Sequence, residues 1–366
     1  MIKQYYKQAL AQLRQHPLIS IIGIVGTALS IFLIMLVVMM QQVKVAPFSP
    51  ESNRNRFLHV HYMSISHKDW GNGTSNGPMS VQTAREVYKS LKTPEAVTVY
   101  CCMTVSTPVS LPGAPAIGAD VRETDDTFFH VFDFQFTDGK PYDEATFTAG
   151  RPVAVITESI SRALFGSIQS VGKEFLLSHA PYRVVGVVKD VSTLADMAYG
   201  QVWIPFTSTN LSNDTWSDNH MGMMSVTLLA HDREDFDEIR AEAKRRMNEY
   251  NSILADQGYT LIDRNRPYDQ ETQSISFAAN LEPDLKAARR ERVIIFIILL
   301  LVPAINLSSM TQSRLRQRVA EIGVRRAFGS TRIEMVGQIV MENLVITLLA
   351  GAIGLLISIL FAYWGT

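Results

Sequence analysis

The sequence predicts a membrane protein: an α-helical transmembrane region of three spans, with one large α+β domain outside the membrane. Three observations carry this. Charged residues make up only 19% of the 366 residues, against about 25% in ordinary soluble domains. The shortfall is concentrated, since residues 15–43, 293–313 and 343–366 contain no Asp, Glu, Lys or Arg. Between the first two gaps, residues 42–292 read as normal soluble protein with intermixed strand and helix signals. This pattern excludes a plain cytosolic enzyme, a disordered chain and a collagen-like chain. With 34 Lys+Arg against 35 Asp+Glu there is no basic surplus for phosphate backbones, so no nucleic-acid partner is expected.

The first span, Pro17 to Met40, is 24 residues long; about 20 apolar residues suffice to cross the hydrocarbon core. Pro17 stands at the first turn, where a helix tolerates proline. A cleaved leader is the rival reading, but its apolar region runs only to about 15 residues. Lys44 also precedes the candidate cut after Ala46, where a small residue is needed. The second span runs Val293 to Ser309 and contains Pro303 and Asn306, read as a mild kink rather than a hinge. The third runs Asn343 to Trp364, and its Gly351 and Gly354 suit close helix packing.

Basic residues set the orientation. Lys3, Lys7 and Arg14 precede the first span without an acid, and six arginines against Glu321 and Glu334 lie between the second and third. Both segments fall on one side after three crossings, which makes that side the cytoplasm. Lys286, Arg289, Arg290 and Arg292 stand outside the second span and oppose this, but long domains translocate largely regardless of charge. The N-terminus is therefore placed inside and residues 42–292 outside. Ile2, Tyr6, Leu10 and Leu13 at helical spacing make 1–16 an expected amphipathic helix on the inner surface.

In the outer part, RFLHVHYM, AVTVYCCMTV, RPVAVIT, YRVVGVV and QVWIPF read as strands, and Ser80–Leu91 and Glu234–Tyr250 as helices. Candidate chemistry is sparse. His59 and His61 would alternate onto one strand face with His67 nearby, but two histidines without a third ligand are more often structural. Cys101 and Cys102 are read as inert thiols, since neighbours on a strand point to opposite faces. Gly166, Gly172 and Lys173 only approximate a phosphate loop: the spacing is one residue long and Glu174 replaces the hydroxyl that would hold magnesium. No catalytic residue, metal site or cofactor is expected.

The cytoplasmic segment is more informative. Leu315, Val319, Ile322 and Arg326 at helical intervals let the second span continue through Phe328. Gly329 then suits a left-handed helix end, and Thr331 with Glu334 forms a capping box for the next helix. A run from about Asp284 to Phe328 would be one nearly continuous helix, ~65 Å long at 1.5 Å per residue.

Residues Arg318–Arg332, RVAEIGVRRAFGSTR, resemble the signature of FtsX-type permeases of the MacB-like ABC transporters. VAVITESISRALFG, SVGKEF, YRVVGVVKDV and VWIPF are similar to segments of the MacB-like periplasmic core. The resemblance implies that Glu321, Ile322, Gly323, Val324, Arg325, Arg326, Ala327, Phe328, Gly329, Thr331 and Arg332 form the segment that couples to a separate ABC-type ATPase subunit. It implies a periplasmic core over 42–285, with a porter part about 48–110 and 218–285 and an inserted part about 111–217. The remaining division is 1–16, a first helix 17–41, a second with stalk 286–310, a coupling segment 311–335 and a third helix 336–366. It further implies a bacterial inner-membrane location, a second permease copy or homologue, lipid contact, and an adaptor or cargo outside. The family has a fourth membrane helix, and the sequence given ends soon after the third.

The function expected is therefore non-catalytic: ATP-driven motion carried from the ATPase to the outer domain, with an antibiotic, peptide or lipoprotein-like cargo. Spans without Asp, Glu, Lys or Arg offer no proton relay, which counts against a secondary transporter. A membrane sensor signalling to a cytoplasmic partner is the alternative; an anchored outer enzyme lacks a catalytic set.

Overall fold

In the computed structural model of the chain, residues 17–365 are described. They divide into an outer unit, Val43–Asp284, and a helical unit formed by the long helices on either side of it in sequence. The expected helix over 1–16 lies outside the described residues.

The helical unit contains α1 (Pro17–Val45) as far as Gln42 and, beyond the outer unit, three further helices described below with the candidate site. Among the described residues, three helices are long and apolar enough to cross a membrane: Ile21–Val45, Leu285–Gln317 and Arg332–Trp364. Of the two glycines singled out, Gly354 permits the close approach. A Cβ there would lie 2.7 Å from the Ala28 carbonyl, whereas one at Gly351 would reach nothing nearer than 3.8 Å. The Phe32 and Phe361 rings meet edge-on at 5.7 Å.

The outer unit is built on β1 (Phe57–Val60), β2 (Met63–His67), β3 (Thr74–Gly77), β4 (Ala96–Cys101), β5 (Val105–Ser110), β6 (Ile117–Thr124), β7 (Phe136–Gly139), β8 (Val153–Thr157), β9 (Glu174–Leu177), β10 (Ala180–Val188), β11 (Val202–Pro205), β12 (Met224–Leu229), β13 (Tyr259–Ile262) and β14 (Tyr268–Asp269). One sheet runs β11-β8-β10-β9-β5-β6-β4-β12-β1-β14, with β7 on β10. Because β11 also pairs in parallel with β6, from Val202 opposite Val121 to Pro205 opposite Thr124, the first six strands close into a ring. Closure removes the exposed edges that an open sheet would present. Val109, Ala119, Ile156, Phe175 and Ile204 belong to the apolar cluster of these strands.

The antiparallel stretch β4-β12-β1-β14 alternates by residue, as a strand covered on both faces must. Leu58 and Val60 join a core with Val226, Leu228 and a long helix, Phe236–Leu254. That helix buries Phe236, Ile239, Ala243, Met247, Tyr250 and Leu254 at intervals of three and four, the spacing of an apolar stripe. Phe57 and Leu229 join an aromatic core with Tyr100, Phe128, Phe132 and Trp203. Phe132 is fully buried, with its ring 4.7 Å from Phe128 and 5.4 Å from Phe57. Phe132→Ala is expected to cost about 3–5 kcal/mol through the cavity it leaves, read as a lowered urea midpoint of the outer unit by tryptophan emission.

Several expected elements shift. RFLHVHYM is not one strand: β1 ends at Val60, and β2 belongs to a separate sheet, β13-β2-β3. His61 therefore lies outside β1 and does not alternate with His59 along one strand. The helix expected over Ser80–Leu91 is a short turn, Val81–Thr83, that continues as a π-helix, Ala84–Lys89. Strand β4 stops at Cys101, so Cys102 is not a strand neighbour of it; both thiols are free.

Candidate functional site: the hairpin between the second and third long helices

Helix α2 (Leu285–Gln317) runs unbroken across Pro303. It does not continue to Phe328, as its apolar spacing had suggested. Arg318 leaves the helical region at φ −112°, ψ 12°, and a separate helix α3 (Val319–Ala327) follows. The third long helix, α4, spans Arg332–Gly365.

The side chain of Arg318 accounts for the break. Its Nε and Nη2 donate to the two oxygens of Glu321, at 2.9 and 3.3 Å. Its Nη1 donates to both oxygens of Glu342, at 3.2 and 3.1 Å. Glu342 is 5% exposed and also accepts from Gln338 Nε2 at 2.9 Å. One guanidinium thus joins the bend, α3 and α4, using the fork that lets arginine hold two carboxylates at once. A second link is Thr311 Oγ1 to Asn343 Oδ1 at 3.1 Å.

The far end closes by local chemistry. Phe328 N–H donates to Val324 and Gly329 N–H to Arg326. Gly329 takes φ +90°, the left-handed region where a side chain would be strained. Thr331 Oγ1 accepts from Glu334 N–H at 3.3 Å, while Glu334 accepts from Thr331 N–H at 2.9 Å. This is the reciprocal capping box anticipated from Thr331 and Glu334.

The outcome is a short helix held at both ends, with an exposed surface. Phe328 is 88% and Ile333 84% exposed, and Val324, Arg326, Ala327 and Arg332 are also exposed. Arg325 lies on α3. Ile322 instead faces a cleft of about 330 Å³ with Leu315, Met335, Val336 and Ile339. Sequence reasoning placed Glu321 in this set but missed the residues that fix its geometry. Arg318 stood at the edge of the motif, and Glu342, one residue before the third span, was not singled out.

The remaining candidates have structural environments. His59 is buried, with Nδ1 3.2 Å from Thr227 Oγ1 and Nε2 2.9 Å from Gln270 Oε1; burial holds its pKa well below the ordinary value. Burial likewise lowers His61 to about 4. His67 caps a short turn through Asp69 N–H. Among the described residues, no group of three His, Cys, Asp or Glu is placed to hold a metal. Gly166 and Gly172 both take positive φ, in the turns that close a helix, Glu158–Phe165, and lead into β9.

Glu123 on β6 is the outer unit's most testable carboxyl. Burial pushes its pKa up to about 7, against 4.5 for an ordinary glutamate, with a hydrogen bond from Thr209 acting the other way. The folded chain therefore keeps this proton to higher pH than the unfolded chain, and the ionised carboxylate costs stability above pH 7. That cost fades as pH falls towards 4.5. Glu123→Gln is expected to raise stability at pH 8 by about 1–2 kcal/mol, allowing for partial solvent screening. The gain should vanish near pH 4, as urea midpoints at the two pH values would show. Wild-type stability against pH also carries an opposite contribution from His61, which the unfolded chain protonates below about 6.5.

The helical hairpin and the outer sheet define an integral membrane protein with an extramembrane α/β domain and a presented basic helix. The MacB-like periplasmic core domain matches residues 18–246 and the FtsX-like permease C-terminal region matches residues 293–365. The chain belongs to the MacB-like, FtsX-type family of ABC transporter permeases. It is 22% identical over 244 residues to the uncharacterized ABC transporter permease YknZ of Bacillus subtilis, covering 65% of this chain and 55% of that protein. It is 22% identical over 252 residues to the macrolide export ATP-binding/permease protein MacB of Escherichia coli K12, covering 68% of this chain and 36% of that protein. The chain thus spans about half the length of the first relative and about a third of the second. Among solved structures it is similar to the periplasmic region of MacB from Actinobacillus actinomycetemcomitans. That match has TM-score 0.38 and 19% identity, covering 56% of this chain and 88% of the other.

Proposed function

We propose that this chain is a non-catalytic permease subunit that receives force from a cytoplasmic ABC-type ATPase through α3 and passes it to the outer unit. The observation that carries this is the presented surface of α3 and its turn. Phe328 at the end of α3 and Ile333 at the start of α4 stand in the open, as do Arg326 and Arg332, around a turn whose two helices are both capped. An isolated exposed phenylalanine needs no explanation, but a rigid basic helix carrying several apolar side chains fits a protein partner. The relatives' names, which join permease to ATP-binding functions, support an ATPase as that partner.

In this reading Glu321, Ile322, Gly323, Val324, Arg325, Arg326, Ala327, Phe328, Gly329, Thr331 and Arg332 are the coupling segment. Glu321 and Ile322 serve it through Arg318 and the cleft; the exposed Val324, Arg326, Phe328 and Arg332 meet the partner. The N-terminus is cytoplasmic and the outer unit periplasmic. A division of the outer unit into a porter part, about 48–110 with 218–285, and an inserted part, about 111–217, is supported by ring closure of β5, β6, β8, β9, β10 and β11. Strand β5 then belongs with the inserted part. Two copies, or this chain with a homologue, would work together across the membrane on a peptide, antibiotic or lipoprotein-like cargo.

The test is purification of the full chain from native membranes in mild detergent, followed by an assay of vanadate-sensitive ATP hydrolysis. Hydrolysis belonging to a second, co-purifying polypeptide is expected. A complex containing a kinase or other signalling protein and no ATPase would replace this reading with that of a sensor.

A further inference from the structure

The last turn of α1 belongs to the outer unit, which begins at Val43. A helix end leaves its final carbonyls without intrahelical partners, and in an ordinary linker water takes them. Here buried side chains take them. Arg54 Nη1 donates to the carbonyl of Val43 and to that of Ala46 just past the helix, and Gln270 Nε2 to that of Lys44 at 2.8 Å. Arg54 is only 2% exposed and packs its guanidinium over the Phe48 ring at 4.2 Å.

The same guanidinium reaches further into the outer unit. Its Nη2 donates to the Leu194 carbonyl at 3.0 Å and its Nε to Glu51 Oε2 at 2.7 Å. Glu51, wholly buried, uses its other oxygen to accept from the N–H groups of Met197 and Ala198, at 2.9 and 3.0 Å. Gln270 in turn meets His59 of β1 at 2.9 Å. The carbonyls that end α1 are therefore held by a charged pair that also grips the segment before β11, and by an amide that leans on β1.

Burying such a pair is costly, and apolar packing of equal volume is often at least as stable. What apolar packing cannot supply is a directional grip on a helix terminus, which carries about half a negative charge. We infer that Arg54 is a positioning residue: it fixes the end of α1 to the segment 194–198, so that displacement of this turn is delivered into the outer sheet instead of being absorbed by a linker. The inference rests on the permease reading above, because it concerns how force leaves α1.

The experiment uses the full chain with its co-purified ATPase in lipid nanodiscs. Hydrogen exchange of the 194–198 amides is measured with and without ATP and vanadate, alongside the rate of hydrolysis. Wild type should show a nucleotide-dependent change in exchange there. Arg54→Met should reduce that change at least fivefold while hydrolysis stays within twofold and β12 amides keep their protection. Arg54→Lys retains the charge but not the fork; it guards against a folding failure of the methionine variant and should reduce the change about threefold. A full nucleotide response in a folded Arg54→Met or Arg54→Lys protein would overturn the role of Arg54 and leave the permease reading intact. No nucleotide response in wild type would overturn both.

Discussion

Gly323→Phe is expected to abolish association with the ATPase, weakening it at least 30-fold, or about 2 kcal/mol, without disturbing the chain that carries it. A Cβ built at Gly323 meets nothing within 4 Å, so a side chain leaves the exposed middle of α3 into open space. Gly323→Ala separates the two possible causes of such a loss. Alanine should stabilise α3 by about 0.5–1 kcal/mol over glycine and keep the partner bound unless the contact is close. Binding measured by co-purification and by surface-based titration would distinguish the variants. An unchanged complex with phenylalanine would remove α3 from the interface.

Arg318→Met carries the second large effect. It leaves Glu342, 5% exposed, without the cation that faces it, and removing one partner of such a pair typically costs about 3–5 kcal/mol. The bend before α3 should loosen and ATPase stimulation should fall with it. The double variant Arg318→Met with Glu342→Gln removes both charges and should recover much of the loss. Equal losses in the single and double variants would mean that the pair does not set the bend. Hydrogen exchange across 318–332 in the purified permease reads the bend directly.

These two experiments address a site whose parts were unequally visible in the sequence. Gly329 and the Thr331–Glu334 box could be read because their chemistry is local, acting over three residues. The Arg318–Glu342 link spans 24 residues and depends on how α2 and α4 meet, so no periodicity announces it. The same reason explains the helix that was expected to run on to Phe328. Arginine is a good helix former, and what interrupts the helix is the pair of carboxylates converging on Arg318.

In the outer unit the strand segments were legible from their β-branched residues, but their membership of sheets was not. RFLHVHYM alternates well enough for one strand, and divides at His61 because β1 and β2 serve different sheets. Tertiary pairing overrides local propensity in such cases. The joint at Arg54 was equally invisible, since Arg54 and Glu51 read in sequence as an ordinary polar loop after a span.

The central test is site-specific photocrosslinking in native membranes from Phe328, an apolar side chain 88% exposed, with the captured protein identified by mass spectrometry. Phe328 should capture an ABC-type ATPase, and Gly323→Phe should abolish that capture. Capture of a kinase or another signalling protein, with no ATPase obtained from Phe328 or from its neighbours Val324 and Ile333, would contradict it.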